Sequence, residues 1–132
     1  LIVNDYEMGV ITKKTGYSQA EIIGKDPTCV VTLGEKGSQV FYHNTKNASI
    51  PALPKLTITD PTGAGDAYRA GFLFGYVRGL EPVLCAKIGS VAAAYAIETF
   101  GTQEHHFTFE EFIKRYEHTY GKFPTIERSY EN

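Results

Sequence analysis

The sequence predicts an α/β layer fold with a mainly parallel sheet and flanking helices. Two observations carry that prediction. In the first half, short apolar and β-branched runs alternate with helical segments, and in the second half three helical patterns follow one another. With 132 residues, 42% of them hydrophobic and 13% aromatic, the chain has the apolar supply of one globular domain spanning 1–132.

The elements follow in order. Leu1–Val3 reads as a short buried strand, and Tyr6 to about Lys14 as a helix stopped by Thr15-Gly16. Ser18 is placed to cap a second short helix carrying Glu21. After Asp26-Pro27, the run Cys29–Leu33 is apolar enough for a strand buried on both faces, ending at Gly34. Ser38–His43 is expected to pair beside it, because Gly34–Gly37 reads as a short turn. Asn44–Pro54 reads as a loop with one edge strand, and Leu56–Thr59 leads into a glycine-rich segment.

Helices dominate from there. Ala64–Arg78 places Ala67, Ala70, Gly71 and Phe74 at helical spacing, with Gly79 as C-cap. Pro82 suits the first turn of the next helix, which runs to Glu98 and turns Ile88, Val91, Ala92, Tyr95 and Ala96 toward a core. Its small residues permit close packing. Thr108 and Glu111 form a capping box ahead of Phe109, Phe112, Ile113 and Tyr116, so a last amphipathic helix ends near Gly121 and a surface tail follows.

Composition excludes several functions. A formal net charge of -2 offers no basic footprint for nucleic acid. No apolar run approaches the roughly 20 residues of a membrane helix. The two cysteines, Cys29 and Cys85, are far apart and form no metal-binding spacing, so they are expected to be free buried thiols in a reducing cytoplasm. The expected partner is a small molecule. Leu1-Ile2-Val3 reads like the inside of a fold already under way, so the chain is expected to be a fragment.

The chemistry concentrates in Asp60-Pro61-Thr62-Gly63-Ala64-Gly65-Asp66, between an expected strand and an expected helix. The glycines let backbone turn tightly and approach a ligand, and the free amides of the following first helical turn create an anion site. Asp66 then either complements the helix dipole or serves beside that anion site as a proton acceptor. Arg69 either touches phosphate or pairs on the surface. No Walker A sequence and no G-x-G-x-x-G motif is present.

Asp60–Phe72, reading DPTGAGDAYRAGF, closely resembles the C-terminal signature of PfkB/ribokinase-family kinases. The resemblance implies a three-layer ribokinase-like fold of which this chain is the C-terminal portion, with the N-terminal half and its lid absent. It implies that Asp66 is the catalytic base and that the amides of Gly63, Ala64 and Gly65 form the anion hole. Asn4-Asp5-Tyr6-Glu7 resembles the family's N-x-x-E motif, so Asn4 and Glu7 are expected to organise Mg2+ and phosphate; an N-cap with an early-helix acid explains the same pair structurally. Thr32–Gly37 resembles the T-L-G-x-x-G strand-turn, implying ATP contact by Thr32, Gly34 and Gly37, although a plain hairpin accounts for it too. Ala96–Glu104 resembles the region flanking the adenine pocket, with Gly101 at the close approach and Thr102 and Gln103 nearby. Pro61 and Tyr68 depart from the commoner Thr and Phe without removing a catalytic group.

The expected activity is ATP- and Mg2+-dependent phosphorylation of a hydroxyl. The strings DPTGAGDAYRAGF and GTQE are most similar to bacterial adenosine kinases, which favours a nucleoside acceptor over ribose or fructose. The rival is a non-catalytic nucleotide-binding module derived from such a kinase. The resemblance also implies that the full-length protein can form a homodimer through its lid.

Overall fold

The computed structural model describes residues 1–43, 46–54, 63–98 and 107–126. The expected strand at Leu56–Thr59, the segment Asp60–Thr62 and the segment holding Gly101, Thr102 and Gln103 lie outside the described residues. The chain divides into two compact units, Leu1–Ala52 and Leu53–Asn132.

The first unit is a sheet with two helices. Its strands are β1 (Ile2–Asn4), β2 (Thr28–Thr32), β3 (Ser38–Tyr42) and β4 (Lys46–Ile50), hydrogen-bonded in that order. Helices α1 (Asp5–Thr15) and α2 (Gln19–Gly24) form the crossover that lets β1 and β2 run parallel. The connection from β2 to β3, a 3-10 turn at Gly34–Lys36, is too short for a crossover, so β3 pairs antiparallel, as β4 does next to it. The α/β class holds, and the sheet of the described residues is mixed, with its parallel character confined to β1–β2. β4 is the edge strand expected between 44 and 54.

Local chemistry closes both helices. Each starts with a capping box, Asn4 with Glu7 and Ser18 with Glu21, and α1 stops at Gly16 with φ 77°. Val3, Met8, Ile22, Cys29 and Val31 form one core cluster between helices and sheet. Val30, on the opposite face of β2, is also fully buried, as its unbroken apolar run requires.

The second unit is helical: α3 (Ala64–Tyr76), α4 (Pro82–Glu98) and α5 (Phe109–Tyr120). The buried stripe of α3 is Tyr68, Gly71, Phe72 and Gly75; of the expected Ala67, Ala70, Gly71 and Phe74, Gly71 is buried, Ala67 and Phe74 are half-buried and Ala70 is exposed, so the stripe is turned toward the glycines. Glycine is the reason. A Cβ at Gly71 would stand 2.9 Å from the Gly89 Cα, and one at Gly89 would stand 2.8 Å from the Tyr68 carbonyl oxygen. The two helices therefore touch backbone to backbone, and the face bearing the glycines must be the inner one. Ile88 and Val91 of α4 and Phe112 and Tyr116 of α5 complete the core as expected. The expected surface tail is not entirely one. Phe123 is buried, with its ring 4.9 Å from Tyr116 and 6.0 Å from Phe109.

Two predictions follow from this packing. Gly89→Ala gains about 1 kcal/mol of helix propensity but forces Cβ into backbone, so the variant should lose a net of roughly 1–3 kcal/mol in urea unfolding. The second concerns alkali. Burial pushes Cys85 up to about 11 and Tyr116 up to about 12. Both keep their protons when folded at pH values where the unfolded chain has lost them. Their stabilisation is complete below the ordinary thiol value and drains away as pH rises through the folded values. The melting temperature should fall between about pH 9 and about 11, and fall less steeply in Cys85→Ala.

Candidate active site

Gly63 starts α3 from a left-handed conformation, φ 87°, which only glycine adopts at little cost. The first intrahelical donor is the Ala67 amide, bonded to the Gly63 carbonyl at 3.0 Å, so the amides of Ala64, Gly65 and Asp66 precede the helical ladder. The other helices with an assigned N-cap, α1, α2 and α5, cover such amides with their own side chains, through Asn4, Ser18 and Thr108. Helix α3 has no side-chain cap. It presents amides and the positive end of its dipole together, an arrangement suited to an anion.

Asp66 sits in that first turn with its side chain 92% exposed, and Arg69 reaches it from one turn on, Nη1 to Oδ1 3.4 Å. Of the two readings of Arg69, the pairing is the one observed, with Asp66 as its partner. Gly65 differs from Gly63. Its φ is ordinary and a Cβ would meet nothing nearer than Arg69 Nη1 at 3.4 Å, so the described fold makes no demand for glycine there. Close approach of a ligand would explain it.

In the first unit, the ends of β1 and β2 gather the other expected residues. Asn4 pairs in register with Thr32, and the Thr32 hydroxyl donates to the Val3 carbonyl at 3.5 Å. Gly34 follows with φ 61° and Gly37 with φ 91°. The carboxyl ends of parallel strands are where open α/β sheets bind ligands. Gly37 has a structural reason as well, since a Cβ there would run into the Ile50 carbonyl oxygen. The Asn4–Glu7 pair is a capping box in full: the Glu7 amide donates to Asn4 Oδ1 at 2.6 Å and the Asn4 amide to Glu7 Oε1 at 2.8 Å.

Among the described residues, no group of three His, Cys, Asp or Glu side chains could hold a metal ion. One capped carboxylate, Glu7, fits magnesium only in the way that ion is commonly held, through waters and substrate phosphates rather than a protein cage.

Residues 1–107 match the pfkB family of carbohydrate kinases, and the chain belongs to that family. A nucleoside kinase of Methanocaldococcus jannaschii is 34% identical over 117 residues, which cover 89% of this chain and 38% of that protein. The nucleoside kinase of Burkholderia thailandensis in complex with inosine superposes with a TM-score of 0.86 at 33% identity, over 93% of this chain and 41% of the other. Its complex with ADP-inosine gives a TM-score of 0.88 at 32% identity, over 96% and 40%. These neighbours share the ribokinase-like α/β fold. The chain spans about two fifths of the length of the relatives it matches.

Sequence reading missed the grouping of Tyr95, Glu98, Phe107 and Arg115, which joins the end of α4 to α5. Only the aromatic character of Phe107 and Tyr95 was legible; a contact across 17 positions leaves no local spacing signal. The two glycines at the start of α3 should separate in the laboratory. Gly63→Ala should cost about 1–2 kcal/mol in denaturant unfolding, because it forces a Cβ into the left-handed region. Gly65→Ala should hold stability within about 0.5 kcal/mol or raise it.

Proposed function

We propose that the full-length protein transfers the terminal phosphoryl group of ATP to a hydroxyl of a nucleoside, with adenosine the first acceptor to test and ribose or fructose the runner-up. The observation that carries this reading is the start of α3: amides without a side-chain cap and an exposed carboxylate, Asp66, in the same turn. A carboxylate next to an anion cradle weakens simple anion binding, yet phosphoryl transfer needs both groups. In this reading Asp66 takes the proton of the attacking hydroxyl. The new O–P bond forms as the bond from the γ-phosphorus to the bridging oxygen breaks, and ADP leaves. The amides of Gly63, Ala64 and Gly65 bear the charge that develops on the transferring group.

Thr32, Gly34, Gly37 and Gly101 are assigned to the nucleotide, and Asn4 and Glu7 to water-held magnesium, which when bound supplies charge neutralisation on the phosphates. The strand-end position of Thr32 and Gly34 supports the first assignment, and the ADP-inosine complex of the B. thailandensis relative supports a nucleotide and a nucleoside as ligands. Buried free thiols at Cys29 and Cys85 support a reducing compartment such as the cytoplasm.

The test is ATP-dependent phosphorylation of adenosine, inosine, ribose and fructose by the full-length protein. Nucleosides should turn over with higher kcat/KM than either sugar; a sugar in the lead would reverse the acceptor assignment, and ATP binding without transfer would make the protein a non-catalytic module. Asp66→Asn should lower kcat by about 10²–10⁴-fold and leave the KM for ATP and the melting temperature nearly unchanged, because the side chain is exposed. Glu7→Gln keeps the capping geometry and removes the charge, so it should raise the Mg2+ concentration needed for half-maximal rate without lowering helix stability.

A further inference from the structure

Four helices carry an acid as their third residue: Glu7 in α1, Glu21 in α2, Asp66 in α3 and Glu111 in α5. In α1, α2 and α5 that acid turns back and accepts from the backbone amide of the N-cap residue, Asn4, Ser18 or Thr108. Asp66 turns the other way. Its Oδ1 faces Nη1 of Arg69, one turn further along α3, at 3.4 Å. An acid followed three residues later by a cation is a pair that a helix surface brings together. The cation alone does not decide the direction, because Glu111 has Lys114 at the same spacing and still turns back. Helix α3 differs from α5 in having no side-chain cap to complete a reciprocal box.

The two side chains are unlike in freedom. Asp66 is 92% exposed, so packing does not fix its rotamer, whereas the Arg69 side chain is 36% exposed. A Cβ on Gly65 would lie 3.4 Å from Arg69 Nη1, which puts the guanidinium alongside the uncapped turn. The more enclosed member therefore directs the more exposed one. Without it, the nearest donors for the Asp66 carboxylate are the amides of its own turn, which no side chain covers. A carboxylate folded back onto them would fill the anion site and spend its proton-accepting oxygens at once. A strong charge-assisted bond is about 2.7–2.9 Å long, so this exposed pair adds little to stability and its effect on geometry stands apart from folding.

We propose that Arg69 is a positioning residue for the proton transfer: by drawing Asp66 forward along α3, it keeps the amides of Ala64, Gly65 and Asp66 open to the phosphoryl group and leaves Oδ2 open to the acceptor hydroxyl. The proposal rests on the reading above that Asp66 is the base. Arg69 acts through Asp66, so its effect falls on kcat. The charge that these amides meet grows in the transition state, so the KM values are spared.

The test uses the full-length protein with ATP and whichever of adenosine, inosine, ribose and fructose turns over fastest, and measures kcat and both KM values. Arg69→Gln should lower kcat roughly ten- to a hundredfold while both KM values stay within about twofold. Its melting temperature should stay within about 4 °C of the parent, because the pair is exposed. Arg69→Lys keeps the charge without the fork and should recover part of the loss. In an Asp66→Ala background, Arg69→Gln should change kcat by less than about twofold, since its partner is gone. An unchanged kcat in Arg69→Gln overturns the proposal. So does a rise in the KM for ATP of equal size with and without Asp66, the signature of a direct phosphate contact. Should Arg69→Gln fail to fold, Arg69→Lys must show a loss of kcat that vanishes in the Asp66→Ala background, or the proposal falls. Asp66→Ala alone separates the two layers of argument. If it is slow while Arg69→Gln matches the parent, only the positioning role is wrong; if Asp66→Ala keeps full kcat, or no acceptor is phosphorylated by the parent, the base assignment and the positioning role fall together.

Discussion

Gly71 and Gly89 let α3 and α4 approach until a Cβ on either would meet backbone of the other, 2.9 Å and 2.8 Å away. Gly75 continues the seam beside Cys85. A contact of this kind has little freedom, because backbone cannot change rotamer to relieve a clash. It fixes the rotation of α3 about its axis and its height against α4. The consequence reaches the start of α3, where Gly63 to Asp66 and the Arg69 guanidinium take their direction from the helix they begin. It also reaches the end of α4, where Tyr95 and Glu98 meet α5. Both chemically interesting ends of the second unit are thus referred to one rigid seam.

The treatment of helix starts divides structure from function. Asn4, Ser18 and Thr108 spend their side-chain oxygens on the amides of their own helices, and Glu7, Glu21 and Glu111 return the bond. The reciprocal bond also holds the Glu21 carboxyl below its usual range, with the Ser18 backbone amide as the largest cause. Helix α3 forgoes this device. Its Gly63 contributes only conformation, at the expense of the roughly 0.3 kcal/mol by which a glycine cap falls short of a side-chain cap. A bound anion would recover that deficit and more, since whatever binds the folded state alone stabilises it by mass action. The uncapped start and the exposure of Asp66 are the two observations on which the proposed phosphoryl-transfer role rests.

Much of this was legible in the sequence, for reasons that differ by element. Capping boxes are local, so the starts of α2 and α5 could be placed to the residue, and Pro82 and Glu98 bounded α4 correctly. The hairpin after β2 followed from Gly34 and Gly37, both of which adopt positive φ. The buried face of α3 was read in part, at Gly71, and its rotation toward Gly75 was not, because periodicity counts hydrophobic residues and the innermost contacts are made by glycines. Phe123 was lost to the tail for a similar reason: one ring among polar neighbours gives no period, yet it fills a gap between Tyr116 and Phe109.

The site divides along the same line. The local geometry of Gly63 to Asp66 was readable because it lies in consecutive residues, and that of Asn4 with Glu7 because it lies within one turn. The double meaning of Asn4 and Glu7 was readable too, and the structure leaves it double: a capping box at the end of a parallel strand pair occupies the place where such sheets bind ligands. Arg115 was invisible because its partners lie on another helix and its type is ordinary for an exposed helical face. What a sequence conceals most thoroughly is a polar contact between distant residues, since nothing at either position announces the other. The bidentate pairing of Arg115 with Glu98 is of that kind.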